Sequence, residues 1–195
     1  MNAKTRKLTT TAILAAVAAV IMHFEISLPF LPFFLKIDAS LAIVLISAIF
    51  IGPIAVFPIA LIKDAVNLFS TTTGGVGQLA DFIITVAFAL PFALIYKKMK
   101  NTKGMILGFA AGTLAIVIAG ALANVYILLP FFSLTMPLDK IWEMCRKTNP
   151  IIVDMKTYVL YGAMPFNLIK GIIISIITFI VYKAFPSERV MKKSN

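Results

Sequence analysis

GMILGFAAGTLAIVIAGALANVYILL, residues 104–129, runs for its whole length without a charge. As a helix it would be about 39 Å long at 1.5 Å per residue, more than the ~30 Å hydrocarbon core of a bilayer. Its one amide, Asn124, lies five residues before the predicted end, about 7–8 Å below that end. A basic loop, KKMKNTK at 97–103, precedes the stretch, and Pro130 follows it. Five more apolar stretches flank it, at 8–24, 38–51, 54–70, 78–96 and 163–183. Composition agrees: 61% of the 195 residues are hydrophobic and 13% charged, against about a quarter charged in soluble domains. The expectation is an all-α membrane protein, one domain over 1–195 with six transmembrane helices. Spans and loops leave no length in this chain for a soluble catalytic domain. The first stretch is too long for a signal-peptide core and no small-x-small cleavage site follows it. Gly52-Pro53 reads as a tight turn between the second and third spans, since proline suits a helix's first turn.

Lys and Arg favour the cytoplasmic side of membrane proteins. With the N-terminus inside, eleven of them fall on the cytoplasmic side, in 4–7, 97–103 and 183–193. Five fall opposite: Lys36, Lys140, Arg146, Lys147 and Lys156. Both termini are therefore expected in the cytoplasm of a multi-pass cell-membrane protein. The net charge of +10 then reflects topology and contact with anionic lipid, with no nucleic acid partner. A single cysteine, Cys145, excludes an internal disulfide, and with a single histidine, His23, it argues against a Cys- or His-rich metal site.

The polar residues inside or beside the spans gather at one end. Asn167 and Lys170 are three apart and share a helix face, just after Pro165, at a depth where Asn124 can meet them. Two amides and a lysine suit a planar heteroaromatic ligand with carbonyl and ring-nitrogen edges. They equally suit capping of helix ends and bonding of loop carbonyls. Gln78 and Asp81 form a second i,i+3 pair, placed either to bind ligand hydroxyls, to neutralise Lys63 or Lys170, or to favour a helix N-terminus. Lys63 and Asp64, with Asn67 a turn away, read best as an internal ion pair. Lys36 and Asp38 open the second span as ligand groups or interface anchors. His23 and Glu25 read as a solvated boundary. The other halves of the spans are apolar, so the pattern describes a pocket open to the outside above a hydrophobic floor, not a pore.

The loop LPFLPFFL at 28–35 is expected to fold over that pocket as a stacking wall, and 130–162 to lie on the membrane surface as a cap, with a helix starting near TMPLD at 135–139. Ala12, Ala15, Ala16 and Ala19 make a small-residue stripe of the kind that lets helices approach closely, either inside the bundle or toward another membrane protein. Gly108 and Gly112 make a second stripe, for internal packing. No nucleotide-binding P-loop, G-x-S-x-G elbow or H-E-x-x-H motif is present, so an enzyme is not expected.

Several segments together resemble the substrate-binding S components of energy-coupling factor (ECF) vitamin transporters, most closely the riboflavin-specific ones. They are AILAA at 12–16, FFLKID at 33–38, Gly52-Pro53, GVGQLADF at 75–82, NVYILLP at 124–130 and PFNLIKG at 165–171. The chain departs from that pattern at Gln78 and Asp81, where Glu and Asn are expected. The resemblance implies a six-helix protein that takes riboflavin from outside as transported substrate, with no cofactor. It implies Asn124, Asn167 and Lys170 as contacts to the isoalloxazine edge, and the alanine stripe as the seat of the membrane-embedded T component, which is coupled to two ATPase subunits. It also implies that the subunit topples in the membrane to carry its pocket inward. Competing readings are an S component for thiamine or pantothenate, an intramembrane hydrolase built on Asp64 and Asp81, and a small channel.

Overall fold

The structure, a computed structural model, describes residues 2–32, 35–71 and 73–184. Phe33 and Phe34 of the aromatic loop, and Arg189, Lys192 and Lys193 of the basic count, lie outside the described residues. The described chain is almost wholly helical; a two-residue antiparallel pair, β1 (Ile26–Ser27) and β2 (Lys36–Ile37), is its sheet. Five helical stretches are long and apolar enough to cross a membrane: Ala3–Met22, Pro53–Ser70, Val76–Met99, Thr102–Thr135 and Met155–Ala184. A sixth apolar helix, α2 (Ser40–Phe50), has 11 residues, about 16 Å at 1.5 Å per residue, and is shorter than the predicted span over 38–51.

Capping chemistry explains where the helices start. α1 (Ala3–Met22) begins five residues before the predicted 8, because the Asn2 side chain accepts the N–H groups of Lys4 and Thr5 at 2.8 and 3.1 Å. After α2 the chain reverses at Gly52, whose φ of 113° is open to glycine, and Pro53 opens a 3₁₀ turn into α3 (Val56–Asn67). α4 (Val76–Met99) and α5 (Thr102–Ala123) form a hairpin in which Asn101 caps the Gly104 N–H at 2.8 Å.

The last two spans are longer than predicted. After α5 the chain enters a π-helical turn, Asn124–Leu128, and continues through α6 (Leu129–Thr135). Pro130 does not end the helix, because it enters at the first turn of α6, where its missing N–H and ring are tolerated beside the widened turn. The final helix starts at α8 (Met155–Tyr158), not at 163. There Asp154 and Thr157 form a reciprocal capping box, and a second π turn, Val159–Ala163, leads into α9 (Met164–Ala184). Between these spans α7 (Leu138–Thr148) buries Ile141, Trp142 and Cys145 and turns its charges outward.

Two apolar clusters result. One joins α1 to α5 and α9 and holds Phe88, Phe92 and Ile116. Gly108 and Gly112 let α5 touch α4 there, against Phe92 and Phe88, and the Phe92 and Phe109 rings stack at 4.9 Å. The other joins Leu31, Leu35, Trp142, Cys145, Tyr158 and Phe166. The alanine stripe divides between two tasks. Ala15 and Ala19 are buried in the bundle, which corrects their assignment to a docking surface, while Ala12 and Ala16 remain on the outside.

Candidate functional site

Between the two clusters lies a cavity of about 580 Å³, within the usual range for small-molecule sites. Ile84 belongs to the first cluster and Leu35, Ile141 and Phe166 to the second, and all four line it. The structure brings all seven predicted site residues to this one space: Lys36, Asp38, Gln78, Asp81, Asn124, Asn167 and Lys170. A larger groove of about 710 Å³ runs between α5 and α9, past Leu114, Leu168, Ile172 and Ile176. Its lining is apolar apart from the hydroxyls of Thr113 and Ser175 and has no charged or amide group, so it is not the site.

The amides are held in fixed senses. Asn124 donates from Nδ2 to the Gly120 carbonyl, four residues back, at 2.7 Å. Its Oδ1 accepts the Tyr158 hydroxyl, so the donor that Asn124 has left is its second amide N–H. Asn167 donates from Nδ2 to the Ala163 carbonyl at 2.8 Å, and its buried Oδ1 has no hydrogen-bond partner among the described residues. Gly120 makes room for this amide. A Cβ on it would stand 2.2 Å from Asn167 Nδ2. Each amide sits beside a π turn, an irregularity found often at functional sites.

Charges sit deeper. Asp81 Oδ1 accepts from Lys170 Nζ at 3.0 Å, and its Oδ2 accepts from Lys63 and, at 3.3 Å, from the Thr85 hydroxyl. Lys63 also donates to Asp64 at 2.9 Å, and Asp38 lies 4.0 Å from Lys170. Both lysines are buried. An isolated ammonium there would cost several kcal/mol; Asp38, Asp64 and Asp81 offset that cost, and the pairs tie α4 and the segment before α2 to α9 through Lys170, and α3 to α4 through Lys63. Lys63 and Asp64 thus form the expected internal pair and do not line the cavity.

At the mouth, Lys36 and Glu25 pair at 2.6 Å, and His23 joins the Ala19 carbonyl and the Ser70 hydroxyl at 2.9 and 3.2 Å. Both His23 and Glu25 line the cavity and are not merely a solvated boundary. Gln78 accepts the Thr71 hydroxyl at 2.8 Å and braces the turn before α4. Phe132 and Phe166 line the cavity, and among the described residues of the 28–35 loop Leu35 lines it while Phe30 is exposed. The cap over the cavity comes from 135–144, through Thr135, Met136, Ile141 and Met144.

Sequence reasoning missed Tyr158 and Gly120. The box Asp154-x-x-Thr157 is a helix-start signal that would have put Tyr158 on the last helix. Gly120 stands one turn before Asn124 and admits the Asn167 amide from the last helix, a contact that spacing within one helix does not show.

A cavity lined by polar groups, set against an apolar cluster among long apolar helices, defines a solute-binding membrane protein. The family profile described as ECF transporter, substrate-specific component matches residues 6–182, and the chain belongs to that family of multi-pass cell-membrane proteins. It is 31% identical to the riboflavin transporter RibU of Staphylococcus aureus over 178 residues, 91% of this chain and 89% of that one. It is 32% identical to the riboflavin transporter FmnP of Bacillus subtilis over 184 residues, 92% and 91% of the two chains. Among solved structures, the S component of a bacterial ECF transporter superposes with a TM-score of 0.76 at 31% identity, covering 93% of this chain and 95% of that one.

Proposed function

We propose that this chain captures riboflavin from outside the cell, as cargo and not as cofactor, for uptake driven by partner subunits. One observation carries the reading: Asn124, with one amide N–H still to donate, Asn167, whose Oδ1 has no hydrogen-bond partner among the described residues, and the Lys170 ammonium line one cavity. The edge of isoalloxazine that bears two carbonyls around an N–H needs two donors and one acceptor, which is this set. Phe132 and Phe166 provide apolar ring surface, while Gln78, Asp38, Lys36 and Asp81 offer partners for ribityl hydroxyls. The similarity to riboflavin transporters along nearly the whole chain supports the same substrate.

In this reading α2 completes six membrane passages, both termini are cytoplasmic and the cavity opens outward. Ala12 and Ala16, exposed on α1 with Ile13 and Val17 beside them, meet the membrane-embedded T component, and two ATPase subunits supply the energy. The chain itself performs no catalysis. Titration of riboflavin, followed by quenching of its fluorescence, tests the assignment. Wild type binds, and Asn167→Ala loses about 1–3 kcal/mol through removal of a buried polar contact. Equal affinity of the two proteins for riboflavin, or displacement of bound riboflavin by thiamine or pantothenate at equal strength, overturns it.

A further inference from the structure

Tyr158 is among the largest side chains that are fully buried, yet it does not line the cavity. Its ring is held by the Trp142 indole, 6.1 Å between centroids, and by Gly162, where a Cβ would come within 3.1 Å of it. Its hydroxyl reaches Asn124 Oδ1. A phenol buried in an apolar cluster needs a hydrogen-bond partner, and here the partner is the amide that faces the ligand space.

The consequence is directional. An asparagine amide with one end free can rotate and offer either an N–H or a carbonyl. On Asn124 both senses are fixed: the Gly120 carbonyl requires an N–H on one side, and the Tyr158 hydroxyl donates to the oxygen on the other. With the Tyr158 hydroxyl on that oxygen, the second N–H is the donor this amide has left for a ligand; without the hydroxyl, the oxygen is free to compete as an acceptor. Building on the riboflavin reading, we infer that Tyr158 is a specificity-determining positioning residue. It acts through Asn124, so that the site accepts a ring carbonyl there and rejects a ring N–H. Trp142 gives this lock a second role, since the orientation of a ligand-facing amide depends on α7, the helix that caps the cavity.

A double-mutant cycle with two ligands tests this. Riboflavin, and a flavin analogue in which a C=NH donor replaces one imide carbonyl, are titrated into wild type, Tyr158→Phe, Asn124→Ala and the double variant. Phenylalanine keeps the ring and its packing on Trp142, so a packing role predicts unchanged binding. The positioning role predicts that Tyr158→Phe weakens riboflavin about tenfold and narrows the preference for riboflavin over the imino analogue. In the Asn124→Ala background it predicts less than about a twofold further change. An unchanged ligand preference, or the same loss in both backgrounds, refutes the lock while leaving riboflavin capture intact. Absence of riboflavin binding by wild type refutes both.

Discussion

Gly120→Ala separates the shape of the site from the stability of the fold. An ideal Cβ at 120 would lie 2.2, 2.5 and 2.8 Å from Nδ2, Cγ and Oδ1 of Asn167, so the amide must swing away from the Ala163 carbonyl and from the cavity. Two effects on stability oppose each other. Alanine in place of an interior helical glycine gains about 1 kcal/mol, and the overpacking costs roughly 1–3 kcal/mol. The apo protein therefore melts close to wild type or loses about 2 kcal/mol at most. Binding has no such offset: losing a buried amide contact costs about 1–3 kcal/mol, or roughly 5- to 150-fold in riboflavin affinity. The assay is a fluorescence titration alongside thermal unfolding of the same preparation. Gly112→Ala is the control, because its Cβ would strike Phe88 at 1.8 Å, far from the amides, and should lower stability while folded molecules bind normally. Riboflavin affinity within twofold of wild type for Gly120→Ala would refute the idea that this glycine shapes the site.

Asp81→Asn leaves Lys63 and Lys170 one carboxylate short in a buried place and should destabilise by about 3–5 kcal/mol, whereas Lys36→Ala breaks an exposed pair and should cost under about 1 kcal/mol; equal melting temperatures for the two would contradict the buried ladder. Burial pushes the Cys145 thiol up to about 11, so fewer than about one thiol in a thousand ionises near neutral pH, and maleimide should label the native protein far more slowly than the unfolded one. The same shift means the unfolded chain loses its thiol proton first, so the contribution of Cys145 to stability is complete below the ordinary thiol range and fades as pH rises toward 11. Rapid stoichiometric labelling at pH 7 would exclude this packing.

Much of this was legible from residue type and spacing because a bilayer tolerates few polar groups. Asn124, Asn167 and Lys170 stood out as exceptions in apolar helices, and exceptions there face a cavity or one another. The glycine stripe was legible for a related reason, since Gly108 and Gly112 on one face leave little to do but admit a neighbour. The reading failed where one residue type serves two structures. Pro130 ends most helices, but a π turn just before it let the chain continue. The four alanines look alike in sequence, and only the packing of α1 on its neighbours turned Ala15 and Ala19 inward and left Ala12 and Ala16 out. Tyr158 carried no signal of its own, because a tyrosine near a membrane surface is ordinary until its hydroxyl is seen to hold an amide.

With the cavity opening outward, as proposed, the apolar cluster beneath it limits how cargo can leave on the other side. A local inner gate would have to part α4 from α5 where Gly108 and Gly112 sit against Phe92 and Phe88, or part both from α9. Wetting Phe88, Phe92, Phe109 and Ile116 would cost about 6–12 kcal/mol at 1.5–3 kcal/mol per side chain. Reorientation of the whole subunit keeps those contacts and avoids that cost. A reporter inside the floor distinguishes the two. Ala93 is fully buried, and Ala93→Cys in a Cys145→Ser background adds a single small thiol there. Reorientation predicts that this thiol stays unreactive to water-soluble reagents at rest, with riboflavin bound and during ATP-driven uptake in the assembled transporter. Labelling that appears only during turnover would mean that water reaches the floor, and the subunit would then open by a gate.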